Sequence, residues 1–239
     1  MRNYFDTPVS ERRKSSFIDT GEANAFLRQV FVTMSLGLLI TGMAAWYVAQ
    51  SPALISFFLT GIMKWIVMFA PLGFVLFLSA RIHKMSFTAA SLTFATYSLV
   101  TGISLSFIFL VFNIGVISQT FFITAGTFGA MAIIGLTTKV DLSKYSTILY
   151  MALIGIIIAS VVNLFLGSSM FDFIISVAGV VIFCGLTAYD TQKLMEIGMH
   201  ADPESESTKK IALMGALTLY LDFINLFLFL LRIFGGNRD

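Results

Sequence analysis

Apolar residues recur along this chain in long unbroken runs, and the runs are about as long as a bilayer is thick. A helix rising about 1.5 Å per residue needs roughly 20 residues to cross about 30 Å of hydrocarbon. Seven stretches approach or meet that length: residues 26–49, 65–80, 87–112, 117–137, 146–166, 170–190 and 211–234. The pattern predicts an all-α membrane protein, a seven-transmembrane helical bundle. A further apolar segment, residues 53–63, lies between Pro52 and Lys64 and is only half long enough to cross. It reads as a re-entrant or interfacial piece, or as an extension of the second span.

The polar connections give a direction. Residues 1–25 are polar and mixed in charge with no cleavage pattern behind them, so they read as a cytoplasmic N-terminal tail, and residues 26–239 as a single membrane domain. With the N-terminus inside, the inner side receives Arg2, Arg12, Arg13, Lys14, Arg28, Arg81, Lys84, Lys139, Lys144, Lys193, Lys209 and Lys210. The outer side receives Lys64, Arg232 and Arg238. Twelve against three follows the positive-inside rule and places the C-terminus outside. The longest connection, residues 191–210, carries Asp202, Glu204 and Glu206 around Pro203. It lacks the Asp/Asn and Gly spacing of a calcium loop and reads as solvated.

Composition agrees with burial in lipid: 57% of residues are hydrophobic and 12% charged, about half the charge of an average soluble domain. A net charge of +2 offers no footprint for nucleic acid. His83 and His200 fall in connections, and Cys184 is the only cysteine, so neither an internal disulfide nor a thiolate cluster can form within the chain.

Against this apolar background a few polar residues stand out. Asp222 lies near the middle of the last span, where a carboxylate costs roughly 2.5 to 3.5 kcal/mol and must face the protein interior. Steps of three and four along that helix give Gly215, Thr218, Asp222, Asn225, Phe229 and Arg232, a small or polar stripe, while Leu219, Leu221, Leu226, Leu228 and Leu230 occupy much of the remainder. Asp190 closes the sixth span, with Thr187 one turn earlier. The two spans are antiparallel neighbours, so their carboxyls can meet. Two such groups compete for one proton, which makes the pair a pH sensor and an ion-pathway or calcium site. Arg81 ends the second span on the same side and could latch the pair. Asn163 and Tyr97 read as helix-to-helix hydrogen-bond partners, and Gly126, Gly129, Gly155 and Gly179 as points of close packing.

Two motifs are more specific: LTAYDTQK at residues 186–193 and LYLDFINLFLFLLRIFG at residues 219–235. Together they resemble the Bax inhibitor-1 family, also called the transmembrane Bax inhibitor motif family, most closely its bacterial members. The resemblance covers essentially the whole seven-span chain and implies a seventh helix surrounded by the other six. It also implies a pH-sensitive calcium leak in a bacterial inner membrane, with Asp190 and Asp222 as the aspartate pair and Arg81 as the latch. One departure stands out. Some bacterial relatives carry a glutamate in the second span, and here residues 65–80 hold no acidic residue.

Three functions compete at this point. The first is a proton-regulated cation leak, calcium being the ion that carboxylate oxygens suit best, with no resident cofactor. The second is a regulator that binds another membrane protein, a membrane-bound AAA protease in bacteria, and passes no ion. The third is an intramembrane aspartyl protease, since Tyr189 and Asp190 form a Tyr-Asp pair as in presenilin-like enzymes. There the second aspartate follows a Gly-x-Gly turn; here Tyr220 and Leu221 precede Asp222, so no catalytic activity is expected.

Overall fold

The computed structural model describes residues 9–202 and 205–236. Arg2, Arg238 and Glu204 lie outside the described residues, as do residues 1–8 of the tail. The helices are α1 (Val9–Ala49), α2 (Pro52–Leu59), α3 (Gly61–Arg81), α4 (Phe87–Leu105), α5 (Ile108–Val111), α6 (Ile114–Thr137), α7 (Ser146–Leu166), α8 (Ser169–Gly198) and α9 (Glu206–Gly235), and there is no strand among the described residues. Seven stretches are long and apolar enough to cross a membrane: most of α1, then α3, α4 with α5, α6, α7 with the turn before it, α8 and α9. The chain is a seven-span helical bundle.

Local chemistry sets the boundaries. Ser86, Asn113, Ser168 and Ser205 each stand just before a helix and accept from a backbone N–H of its first turn, at 2.9 to 3.3 Å. The 53–63 segment divides: Ser51 caps the short helix α2, Thr60 breaks it, and Gly61 turns the chain at φ +56° before α3 begins. The third span is interrupted at Ser106, whose hydroxyl donates to the Ile103 carbonyl at 2.7 Å. The sixth span runs on to Gly198, so Asp190 lies two turns inside α8 and not at its end. Likewise the N-terminal tail is helical from Val9 onward, continuous with the first span.

The last helix is the axis of the bundle. Of the most apolar window of α9, 67% is buried, against 39% or less in the six other spans. It packs against α1, α4, α6 and α8, while α3 rests on α4 and α7 on α8 at the periphery. The seventh helix is thus central, with α1, α4, α6 and α8 as its main neighbours. Its leucines are interior as well: Leu219 and Leu226 are fully buried, so α9 has no lipid-facing leucine side opposite the polar stripe.

Small residues and one polar knot hold this packing. A side chain at Gly135 would collide with the Ala188 carbonyl, one at Gly215 with Leu194, and one at Gly179 with the Phe229 ring at 2.6 Å. Gly126, Gly129 and Gly155, also read as packing points, instead have open space beside them, because spacing along a helix does not reveal which face meets a neighbour. The Tyr220 and Thr41 hydroxyls are hydrogen-bonded at 2.7 Å, and Thr41 also reaches the Ser98 carbonyl at 2.9 Å, joining α9, α1 and α4. Tyr97 contributes its ring, 5.3 Å from that of Tyr220, so the interhelical hydrogen bond belongs to Tyr220.

The two leucine environments give a direct test. Leu226→Ala leaves a cavity inside α9's contacts and should lower stability in detergent by about 2 to 5 kcal/mol, whereas Leu164→Ala, at an 82% exposed position, should change it little. Thermal unfolding of the two purified variants checks this.

Candidate functional site

Asp190 and Asp222 are brought together. They lie near enough to act on one another, and the residues are only 6% and 4% exposed. The Asp222 Oδ2 atom is buried with no hydrogen-bond donor beside it.

The pair sits at one end of a cavity of about 640 Å³ between α7, α8 and α9. This space exists because α7 packs on α8 and stands off from α9. Thr218 and Asn225 line it one helical turn to either side of Asp222. Both donate to their own helix: Thr218 to the Met214 carbonyl at 3.1 Å and Asn225 to the Leu221 carbonyl at 2.8 Å. Ser160 on α7 does the same toward the Ile156 carbonyl. With those hydrogens engaged, the three side chains keep oxygen lone pairs for whatever enters, and Asn225 keeps its second N–H. Thr187 is fully buried and donates to the Phe183 carbonyl at 2.7 Å, so it supports the helix behind Asp190 and does not line the cavity.

At the far end, ten residues and about 15 Å further along α9, Arg232 meets Asp172 at 3.8 Å and covers the Phe229 ring at 5.5 Å. Asp172 stands in the first turn of α8 and Arg232 in the last turn of α9, where the helix dipoles favour an acid and a base respectively. The sequence singled out Arg232 as an outer charge on the same helical stripe as Asp222, and did not mark Asp172. Asn163 lies near this end, where its side-chain oxygen accepts from Ser168 N in the turn from α7 to α8. It is a turn cap and not a bond between helix bodies.

Arg81 is elsewhere. It is the last residue of α3, exposed, and makes no ion pair with Asp190 or Asp222. Peripheral α3 packs on α4 and α2, which keeps its end away from the aspartates, and the latch contact is not formed in this conformation. The basic group acting on Asp190 is Lys193, one turn on along the same helix, whose ammonium lies 5.9 Å from the Tyr189 ring.

Tyr150 is a member of the site that the sequence did not disclose. It lines the cavity beside both aspartates, and its ring meets that of Tyr189 edge to face at 6.2 Å. Its position follows from Gln192, two residues past Asp190. The Gln192 side chain accepts from Leu142 N at 2.8 Å and donates to the Val140 carbonyl at 2.9 Å, pinning the turn from which α7 starts. Asp141 completes that turn by accepting from Ser143 N at 3.0 Å, and these Ser143 contacts hold its carboxyl below the usual carboxylate range. Among the described residues no cluster of three or more His, Cys, Asp or Glu side chains is found; Glu204 of the acidic loop lies outside them.

The fold and site define a class: a polytopic helical membrane protein whose central helix carries a carboxylate, beside a second one at one end of a cavity between helices. The family is shown by comparison. The model of the family described as inhibitor of apoptosis-promoting Bax1 matches residues 23–239, and the chain belongs to the Bax inhibitor-1 family. It is 47% identical over 215 residues to the inner membrane protein YbhL of Escherichia coli, covering 89% of this chain and 92% of that one. An uncharacterized protein of Borreliella burgdorferi is 43% identical over 217 residues, covering 90% and 94%. The protein RP147 of Rickettsia prowazekii is 41% identical over 240 residues and covers both chains in full.

The clamp by Gln192 has a measurable consequence. Gln192→Ala removes two hydrogen bonds, at about 1 kcal/mol each, from the turn that begins α7. Amide exchange at Leu142 should speed up by about tenfold or more, with α9 amides unchanged; equal exchange in both variants would show that the turn is held otherwise.

Proposed function

We propose that this protein is a pH-sensitive cation leak, with calcium the preferred ion and the Asp190–Asp222 pair as its proton-responsive element. The observation that carries this reading is the pair itself, two buried neighbouring carboxyls at the end of a cavity whose other polar groups are mainly oxygen acceptors.

The charge of the cavity wall favours a cation. It holds Asp172, Asp190 and Asp222 against the single base Arg232, which Asp172 already faces. The side-chain oxygens of Thr218, Asn225 and Ser160 add neutral acceptors between the two ends. An anion would meet few donors along this path, whereas calcium takes six to eight oxygen ligands of just these kinds. A proton and a cation then compete for the same carboxyl oxygens. Acidification fills the pair with protons and lowers its occupancy by calcium; a rise in pH does the reverse.

The membrane and its sidedness follow the same reading. The positive-inside distribution places the end bearing Arg81, Lys193 and Lys210 in the cytoplasm, and with it the aspartate pair, leaving the Asp172–Arg232 pair on the outer side. The Escherichia coli relative is named an inner membrane protein, which makes the bacterial inner membrane the proposed location. Opening requires a change that joins the cavity to the cytoplasm, and Arg81 is then the nearest basic group on α3 to engage or release the pair.

Purified protein in liposomes loaded with a calcium dye provides the test. The wild type should pass calcium at a rate that changes with pH, and Asp222→Asn and Asp190→Asn should each remove that pH dependence and change the flux by about tenfold or more. Both substitutions keep side-chain volume, so a folded variant isolates the charge. Calcium flux in Asp222→Asn with an unaltered pH profile would sink the role of the pair. A folded wild type that passes no ion would leave the other reading, a chain that restrains a second membrane protein such as a membrane-bound AAA protease.

A further inference from the structure

Among the described residues Arg232 is the single basic side chain on the cavity wall, and it stands at the end away from the aspartate pair. Three features place it there. It lies in the last turn of α9, where the helix dipole favours a positive charge. Its guanidinium covers the Phe229 ring at 5.5 Å. That ring is held in turn, 5.8 Å from the Phe183 ring and so close to Gly179 that an added Cβ would meet it at 2.6 Å. The third feature is the Asp172 carboxylate, 3.8 Å from the guanidinium.

The contact with Asp172 is easily exchanged. At 3.8 Å it is longer than a hydrogen bond, and both side chains are 46% exposed, so water and salt screen it. Ion pairs of this kind shift an equilibrium by about fivefold at most. A divalent cation carries twice the charge of a guanidinium and takes carboxylate and amide oxygens. Asp172 offers the first, and Asn163, on the cavity wall at the same end, offers the second. A guanidinium has donors only and no lone pair for a cation, so a cation seated on Asp172 would repel Arg232 at close range and drive it off. The aspartate pair lies about 15 Å away, beyond the Debye length of about 8 Å at physiological salt, so Arg232 acts mainly on its own end.

We propose that Arg232 is a tethered counter-ion that competes with calcium for Asp172 and thereby sets how readily a divalent cation enters the cavity from its far end. The route beyond Asp172 rests on the cation-leak reading; the competition at Asp172 does not.

Binding and flux are therefore measured separately. For binding, the full chain in detergent carries Asp222→Asn throughout, which removes one of the two inner carboxylates, and thermal unfolding is followed against calcium concentration. Arg232→Gln should lower the calcium midpoint by about fivefold, and Arg232→Lys, which keeps the charge, should leave it nearly unchanged. Adding Asp172→Asn to Arg232→Gln should abolish the gain, and Lys64→Gln, at an exposed base off the cavity, should produce none. An unchanged midpoint in folded Arg232→Gln, or a gain that persists without the Asp172 carboxylate, overturns the proposal whether or not the protein passes ions. Should Asp222→Asn not fold, Asp190→Asn serves as the common background.

For flux, the inner pair is left intact in dye-loaded liposomes. Arg232→Gln should raise calcium entry by about fivefold at low calcium and little at saturating calcium, the mark of a change in binding and not in turnover. Unchanged entry at low calcium in a leaking protein would overturn the part of Arg232 in entry. A wild type that passes no calcium, beside a shifted binding midpoint, would support the competition at Asp172 and remove the leak.

Discussion

Hydrocarbon cannot solvate the carboxyl group of Asp222, and that one constraint orders the rest of the bundle. A charged group at mid-membrane must be surrounded by protein, so the helix that carries it becomes the axis against which α1, α4, α6 and α8 are laid. Close contact with four neighbours then demands small residues on several sides of α9. Ala212, Gly215 and Ala216 meet that demand, and all three are buried. The second carboxyl, on α8, completes the arrangement because it gives the first a polar partner in place of water. Helices without such a burden, α3 and α7, remain at the edge with most of their surface facing outwards.

The depth of Asp222 and its meeting with Asp190 were legible because an acid inside an apolar run has few acceptable surroundings, and because antiparallel neighbours joined by one loop bring their paired ends together. The leucines of α9 were not legible in the same way. Lipid tails are as apolar as leucine, so a leucine stripe does not say whether it meets lipid or protein. Leu219 and Leu226 are the interior of this bundle, while Leu164 and Leu166 on α7, identical in chemistry, are exposed. Glycine spacing is ambiguous for a related reason. Gly135 is pressed against the Ala188 carbonyl, yet Gly129, in the same helix, has open space beside it.

Residues that act through tertiary contact left still less trace. Tyr150 belongs to the site because Gln192, far along the chain, pins the turn from which α7 begins. Neither residue is remarkable in type or spacing. Asp172 escaped notice because an acid in the first turn of a span is the usual way to start a helix; only its ion pair with Arg232 gives it a place at the cavity's far end. Arg81 is the opposite case: charge complementarity joined it to the aspartates, and at the end of peripheral α3, packed on α4, it makes no ion pair with them in this conformation.

The walls of the cavity differ in how easily they can move, and this bears on how it could open. α9 is held by the Tyr220–Thr41 hydrogen bond, by ring contacts with Phe94 and Tyr97, and by packing against α1, α4, α6 and α8. α7 is held at its ends, by the Gln192 clamp before it and by Asn163 and the left-handed Gly167 after it. Between those ends, among the described residues, no hydrogen bond joins it to α9, and its polar Ser160 is satisfied by its own helix. Only Ile156 of its side chains is fully buried. Displacing the middle of α7 therefore exchanges protein contacts for lipid contacts of similar chemistry and breaks no interhelical hydrogen bond, whereas displacing α9 would expose a carboxyl to hydrocarbon. The cavity widens at least cost along its α7 wall, and the aspartate pair stays fixed while it does so.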